Sequence, residues 1–343
     1  MKRLSWALAL ALFAAVLAFA FAQLRSTEPL AAAERTAAGE RWVTFEGACD
    51  ASGAVPIDAR HFAVADDEDN VIRVYDAFSG GQPVQRTNLS PQLALQRKSE
   101  SDIEAATSAN GKAFWLSSHA RNKKGNVDPN RSLLITTELP TLEVQLELRG
   151  QVYRRLLEDL EHAPELERYD LTHAAELGPK EPGGLNLEGL TATPEGKLLI
   201  GFRSPIPGGK ALIVPLLNPD DAGKNGPLRF GTPLELELSG LGVRSLSYWR
   251  GQYLIAAGPG GDGAGPRRLY RWSGPGTQPR LALEAPLRDV NPEAFFTAED
   301  NPEILVLSDD GTRSIRGKAC KKLGRKGNKR FRGLWLRLPD AGS

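Results

Sequence analysis

An all-β propeller is the fold class this sequence predicts, and three observations predict it. First, a phrase of an apolar residue, a glutamate and a small or apolar run recurs along the chain. It stands at Phe45-Glu46-Gly47-Ala48, Ile103-Glu104-Ala105-Ala106, Leu187-Glu188-Gly189-Leu190 and Pro292-Glu293-Ala294-Phe295, with a degenerate copy at Val243-Arg244-Ser245-Leu246. Apart from one longer gap after Glu104, the copies are roughly 50 to 60 residues apart, a period that marks a repeat architecture. Second, each phrase leads into a hairpin with a Gly, Asn or Asp turn, as at Gly111-Lys112-Ala113-Phe114-Trp115-Leu116 and Gly196-Lys197-Leu198-Leu199-Ile200. Third, further strands follow each hairpin, and four strands per repeat is the design of a propeller blade.

The third strands are expected at Val71–Tyr75, Ser132–Thr136, Ala211–Pro215, Arg268–Trp272 and Leu334–Leu338, each rich in β-branched, aromatic or aliphatic residues. Fourth, alternating strands are expected at Leu93–Gln96, Val144–Leu148, Leu234–Leu238 and Leu281–Glu284. The last unit has no fourth strand after Leu338, and Trp42-Val43-Thr44-Phe45 stands ready to supply it. Closing the ring with that N-terminal strand leaves only short sheet edges. Five blades are visible, and a sixth is possible only within the long gap. There Gln151 to Ala163 carries a helical period, with Val152, Leu156, Leu157 and Leu160 on one face. It predicts a helical insertion over about 150–180. Either it packs on the side of a blade or it reaches over the channel through Glu176.

Upstream, Met1-Lys2-Arg3 precedes an apolar run from Leu4 to Ala22 that ends in Ala20-Phe21-Ala22, the small-x-small pattern of a signal-peptide cleavage site. Residues 1–22 are therefore expected to be a signal peptide, or an anchor if uncleaved, residues 23–40 a disordered leader, and residues 41–340 a single propeller domain. Export, to the periplasm or beyond, follows in either case. Without residues 1–22 the chain carries 41 basic and 42 acidic side chains, which argues against general nucleic-acid binding. Two cysteines, Cys49 and Cys320, fall in the first and last repeats. In an oxidising compartment they either pair and staple the closure or stay as two small buried hydrophobes.

The start of each inner strand converges on one mouth of a propeller channel, so Glu46, Glu104, Glu188, Glu293 and Arg244 are expected to meet there. Second strands end at Asp66-Asp67-Glu68-Asp69, Ser118-His119-Ala120-Arg121, Arg203 and Ser308-Asp309-Asp310, at the same rim. Crowded carboxylates repel unless protonated, paired or bound to a cation. Glu46, Glu104, Glu188, Glu293, Asp66 and Asp309 are thus the candidate metal ligands, and a hard ion such as Ca2+ suits oxygen donors. The opposing reading has each glutamate accept backbone N–H bonds and Asp66 sit in a solvated turn. His119 is the general-base candidate, and Arg203 and Arg121 are candidates to stabilise developing charge. Each of these three also has a purely structural reading. Gly258–Gly265 lacks a following nucleotide-binding helix and reads as a hairpin loop, and the basic run from Lys321 to Arg330 reads as a solvated loop between strands or as a contact to an anionic cell surface. No Gly-x-Ser-x-Gly elbow, His-Glu-x-x-His helix or zinc spacing is present.

The strings Phe45-Glu46-Gly47-Ala48-Cys49-Asp50-Ala51-Ser52, Ser118-His119-Ala120-Arg121-Asn122-Lys123-Lys124-Gly125 and Gly209-Lys210-Ala211-Leu212-Ile213-Val214-Pro215 resemble a bacterial family known as domain of unknown function 3616. That resemblance spans nearly the whole mature chain and implies no activity. More loosely, Glu-Gly-Leu before a hairpin is similar to the esterase-like phytase propellers, which implies a propeller and, faintly, phosphoesterase chemistry. The expectation is an exported propeller that binds a divalent cation and an anionic small molecule at its mouth, with ester or phosphoester hydrolysis as its chemistry. The alternative is a non-catalytic propeller that binds a protein or glycan of the cell envelope.

Overall fold

The computed structural model describes residues 40–339 except 96–98, 262–264, 284–286, 288 and 325–327. The segment 1–22 and the leader up to residue 39 lie outside the described residues. Among those described, no helix is long and apolar enough to cross a membrane.

Strand β1 (Arg41–Glu46) comes first and belongs to the last blade. Blade 1 is β2 (Gly53–Pro56), β3 (His61–Ala65), β4 (Val71–Asp76) and β5 (Gln85–Asn88). Blade 2 is β6 (Ile103–Ala109), β7 (Lys112–Ser117) and β8 (Leu134–Glu138), and blade 3 is β9 (Asn186–Ala192), β10 (Leu198–Ser204), β11 (Ala211–Leu216) and β12 (Leu234–Leu236). Blade 4 is β13 (Gly242–Trp249), β14 (Gln252–Gly258), β15 (Arg268–Trp272) and β16 (Arg280–Leu281). Blade 5 opens with β17 (Pro292–Phe296) and β18 (Glu303–Ser308), makes a small hairpin of β19 (Ser314–Ile315) and β20 (Lys318–Ala319), and continues in β21 (Arg330–Arg337). Strand β1 then pairs antiparallel with β21, from Arg41 opposite Trp335 to Glu46 opposite Arg330. The chain's first strand thus completes its last blade, as the missing fourth strand required.

The innermost strands β2, β6, β9, β13 and β17 each touch the next, and β17 returns to β2, so the ring closes at five blades. Five apolar clusters fill the five junctions between neighbouring blades. Period-two alternation explains how one strand feeds two of them. On β7, Ala113 and Trp115 pack toward blade 1 while Phe114 and Leu116 pack toward blade 3. A sheet buried on both faces needs apolar residues on both, which is why the middle strands read as unbroken runs. At the blade 3–4 junction Gly189 and Gly201 lie side by side, and a Cβ on either would come within 2.7 Å of Val243 Cγ1. Both positions must stay small for β13 to close against β9 and β10.

The insertion forms helix α1 (Leu156–Glu161), a 3-10 turn over Pro164–Tyr169 and helix α2 (Leu171–Glu176). Leu156, Leu160, Leu166 and Leu171 are buried in the blade 2–3 cluster, so the insertion packs on the blade side. Glu176 is exposed, pairs with His173 at 3.8 Å and does not line the channel-mouth cavity, which the end of the insertion reaches at Pro179 and Lys180 instead. Two expected outer strands differ as well. Over residues 93–95 no strand forms and Gln96 lies outside the described residues; the outer strand is β5 at Gln85–Asn88, because Leu89 and Leu93 turn inward as buried side chains instead of alternating. Leu148 makes an isolated bridge to Thr137, and Val144 stays exposed, so no fourth strand forms over Val144–Leu148.

Candidate functional site at the channel mouth

The recurring phrase has a structural cause. On β6 the pairing passes from Ile103↔Ser117 to Ala105↔Leu116, leaving Glu104 unpaired. The same slip leaves out Glu188 on β9, Arg244 on β13 and Glu293 on β17. A β-bulge places two residues opposite one and re-aims a side chain that strict alternation would send into a blade junction. The phrase is therefore a bulge signature, and the four bulged side chains line one open-mouthed cavity of about 490 Å3.

Glu46 does not join them. Residues 41–46 are already committed to the outer edge of blade 5, and the inner strand of blade 1 begins only at Gly53. Its carboxylate instead accepts Gln82 Nε2 at 2.6 Å on the outside, while Phe45 packs among Phe62, Tyr75 and Phe331. Asp50, in the link before β2, and Asp67, in the turn between β3 and β4, are the carboxylates that blade 1 presents to the mouth.

Among the described residues seven carboxylates and seven cationic side chains line the cavity, in two unequal groups. On the side of blades 3 and 4, Glu188 Oε1 accepts Arg203 Nη1 at 2.6 Å and Asn186 Nδ2 at 2.9 Å, and Arg244 Nη2 lies 3.8 Å from Glu188 Oε2. Arg244 also pairs with Glu293 Oε1. Arg203 is further held by the carbonyl oxygens of Pro259 and Gly261 at 3.2 and 3.1 Å. Glu188 therefore serves as the buried counter-ion of two guanidiniums.

On the side of blades 5, 1 and 2 stand two triplets, Asp50 with Glu293 and Asp309, and Asp67 with Asp102 and Glu104. In each, one ligand atom per residue lies within 4.8 Å of the others. Asp50 is only 3% exposed, and its Oδ1 has no hydrogen-bond partner among the described residues. Burial first, then the charges of Asp309 and Asp67, hold its carboxyl well above the usual carboxylate range. Asp67 is raised by burial and by Asp66 and Asp102, and Glu104 by burial and by Asp102 and Glu188. Asp102 is raised by burial, against the pull of Arg131, with which it pairs. Asp309 is fixed by Gly311 N at 2.6 Å on Oδ1 and Asn291 Nδ2 at 2.8 Å on Oδ2.

Three further expected site residues stand elsewhere. Asp66 is buried and accepts Cys49 N at 3.1 Å and Glu68 N at 2.9 Å, so it caps the turn, and burial and Asp69 push it up to about 6. The cavity falls to its neighbour Asp67. His119 does not line the cavity; it is buried with Nδ1 at 2.8 Å from the Ser117 carbonyl oxygen, and burial lowers its pKa to about 4. Nδ1–H donates to that carbonyl oxygen, and Nε2 has no partner among the described residues, so the neutral ring sits behind the cavity wall rather than in it. Arg121 is spent on the carbonyl oxygens of Ala175 and Gly125, anchoring the insertion at 2.8 and 3.1 Å. Cys49 and Cys320 are joined as a disulfide that ties the entry of blade 1 to the hairpin of blade 5.

The sequence places Asp67 at the rim but singles out its neighbour Asp66 as the ligand, and it does not single out Asp50, Asp102, Asn291 or Arg267. Two signals were available: Asp67 and Asp102 each precede or follow a residue already singled out, and Asn291 stands two residues before Glu293 as Asn186 does before Glu188.

Residues 143–315 match the model of a family described as "Protein of unknown function (DUF3616)". No curated protein matches the sequence. Among solved structures, the chain is similar to a PQQ-bound aldose sugar dehydrogenase from Streptomyces coelicolor, at 13% identity over 90% of this chain and 100% of that one, with a TM-score of 0.42. It is also similar to a gluconolactonase from Xanthomonas campestris, at 10% identity over 91% and 94% with a TM-score of 0.43. A third is virginiamycin B lyase from Staphylococcus aureus, at 11% identity over 87% and 99% with a TM-score of 0.38. Likeness at this level carries nothing about chemistry. The family match spans half of the chain, and the chain belongs to the DUF3616 family.

Proposed function

We propose that this DUF3616 propeller binds a divalent cation, Ca2+ foremost, between Asp50, Glu293 and Asp309, and an anionic small molecule beside it. The observation that carries this reading is Asp50, a buried carboxylate set against Asp309 with one oxygen unpartnered. A cation would supply the missing partner and relieve the repulsion that raises the Asp50 pKa. Ca2+ takes about six to eight oxygen ligands, so three carboxylates leave positions open to water and to a ligand oxygen. The adjoining triplet of Asp67, Asp102 and Glu104 adds acceptor oxygens, with Asp102 already partly neutralised by Arg131.

Ester or phosphoester hydrolysis is the chemistry we assign to such a site. A bound cation polarises an ester oxygen and eases deprotonation of water. Glu104, its carboxyl held well above the usual range by burial and by Asp102 and Glu188, is the group of this mouth we assign to exchange a proton with the ligand. Arg203, on the cavity wall, is placed to stabilise developing negative charge. Export is part of the same reading, since a Cys49–Cys320 disulfide persists in an oxidising compartment.

Calorimetric titration of the purified protein with Ca2+, with thermal melting in parallel, tests the reading. Saturable binding and a raised melting temperature, both lost in Asp50→Asn and Asp309→Asn, support it. A melt indifferent to both Ca2+ and chelator would sink it and leave the propeller as a non-catalytic binder. Where binding is seen, a screen of phosphate and carboxylic esters decides whether the site turns over.

A further inference from the structure

Arg267, just before β15, lines the same cavity and is half-buried. The other two guanidiniums beside it are occupied, Arg203 by Glu188 and two carbonyl oxygens, Arg244 by Glu293 and Glu188. Arg267 has no carboxylate within ion-pair distance among the described residues. Its side chain makes one hydrogen bond, from Nε to Asn291 Oδ1 at 2.5 Å, which leaves both terminal nitrogens without an acceptor there. Burial first, then the charge of Arg244, holds its pKa below the usual guanidinium value, with Asp309 pulling the other way and Arg203 adding to the lowering.

Asn291 fixes where this guanidinium stands. While Oδ1 accepts from Arg267, Nδ2 donates to Asp309 Oδ2 at 2.8 Å and reaches Glu293 Oε1 at 3.4 Å. The backbone of Asn291 is itself held, its N–H by Ser308 Oγ at 3.0 Å and its carbonyl by Asp309 N at 2.8 Å. One amide therefore sets two carboxylates of the cation triplet and the unpaired guanidinium in a single frame.

We propose that Arg267 is the anion clamp of the mouth: its terminal fork grips two oxygens of a carboxylate or phosphate group that also contacts the cation held by Asp50, Glu293 and Asp309, with Asn291 as the positioning residue. The proposal rests on the cation reading above and names the ligand's head group. A planar guanidinium matches either oxyanion in bidentate fashion, which the point charge of a lysine does not.

The test uses benzoate and phenyl phosphate, which share a ring and differ in head group, titrated into the full-length protein with and without saturating Ca2+. One probe is expected to bind better with Ca2+ present, and that probe identifies the head group. Arg267→Gln is expected to weaken it about 10- to 100-fold, the scale of hydrogen bonds to a charged group, with Ca2+ affinity equal or tighter. Arg267→Lys should recover only part of the loss. Wild-type affinity for both probes in Arg267→Gln, with Ca2+ binding intact, overturns the clamp, as does failure of both probes to bind the wild type at millimolar concentration. Absence of Ca2+ binding by the wild type removes the cation reading alone. The chelator arm then decides on Arg267 by itself: loss of the probe in Arg267→Gln supports an anion site, and no loss overturns it.

Discussion

On the blade 3–4 side of the mouth Glu188 is buried between the guanidiniums of Arg203 and Arg244, whereas across the cavity Asp50 is buried against another carboxylate, Asp309. Both are desolvated, yet Glu188 accepts hydrogen bonds from Arg203 and Asn186, whereas burial and the charges of Asp309 and Asp67 push Asp50 well above its ordinary value. Burial alone does not mark a binding site; burial with the charge left uncompensated does. The paired side is a strut of the ring, and the unpaired side is where an external charge gains most by entering. Arg267 repeats the lesson with the opposite sign, since among the described residues it has no carboxylate within ion-pair distance and one side-chain hydrogen bond, to Asn291.

The largest expected effect breaks the paired side. Arg244→Met removes the guanidinium that pairs with Glu293, leaves Glu188 to Arg203 alone, and should cost about 3–5 kcal/mol in urea unfolding, as loss of one member of a buried ion network does. Opening the Cys49–Cys320 bridge in the Cys49→Ser/Cys320→Ser protein acts on the other side, where it joins blades 1 and 5 beside Asp50. The denatured chain regains the freedom of a loop spanning 271 residues. A loss of about 2–4 kcal/mol should appear in the same assay.

Smaller, and opposite in sign, is Asp50→Asn. A carboxyl whose folded pKa is raised contributes its stability in full below the unfolded value and loses it as pH rises through the folded value. Without Ca2+ the variant should therefore match the wild type near pH 4 and melt above it near pH 8, and it should lose the response to Ca2+. A variant that melts below the wild type at pH 8 would show that Asp50 is already compensated, and the contrast between the two sides would fail.

The smallest effect is expected at His119, which serves as a control because it lies in neither group. Its folded pKa of about 4 is depressed, so its contribution is present above the ordinary imidazole value of 6.5 and lost as pH falls through about 4. His119→Asn keeps a residue tolerant of the left-handed backbone at φ 56° and should flatten the acid limb of the stability curve between those values. Ca2+ binding at neutral pH should not change.

Local pattern determined much of this molecule. The recurrence of Glu104, Glu188, Arg244 and Glu293 fixed the repeat, because a bulged inner strand needs one re-aimed residue per blade in the same sequence setting. The apolar runs fixed the middle strands, because both faces of each sheet are buried. Even ring closure was legible, since a blade lacking an outer strand implies that the chain supplies one elsewhere, and Trp42–Phe45 was available. Tertiary structure decided the rest. Which carboxylate is paired depends on which guanidinium reaches it from the next blade, as Arg244 of blade 4 reaches Glu188 of blade 3 and Glu293 of blade 5. Asp66 and Asp67 are adjacent in the chain, yet one caps a turn and the other lines the cavity. Glu46 carries the phrase without the role, because a strand used at the outer edge of blade 5 is not free to open blade 1. Charge compensation is a property of neighbours brought together by the ring, and spacing along one strand does not encode it.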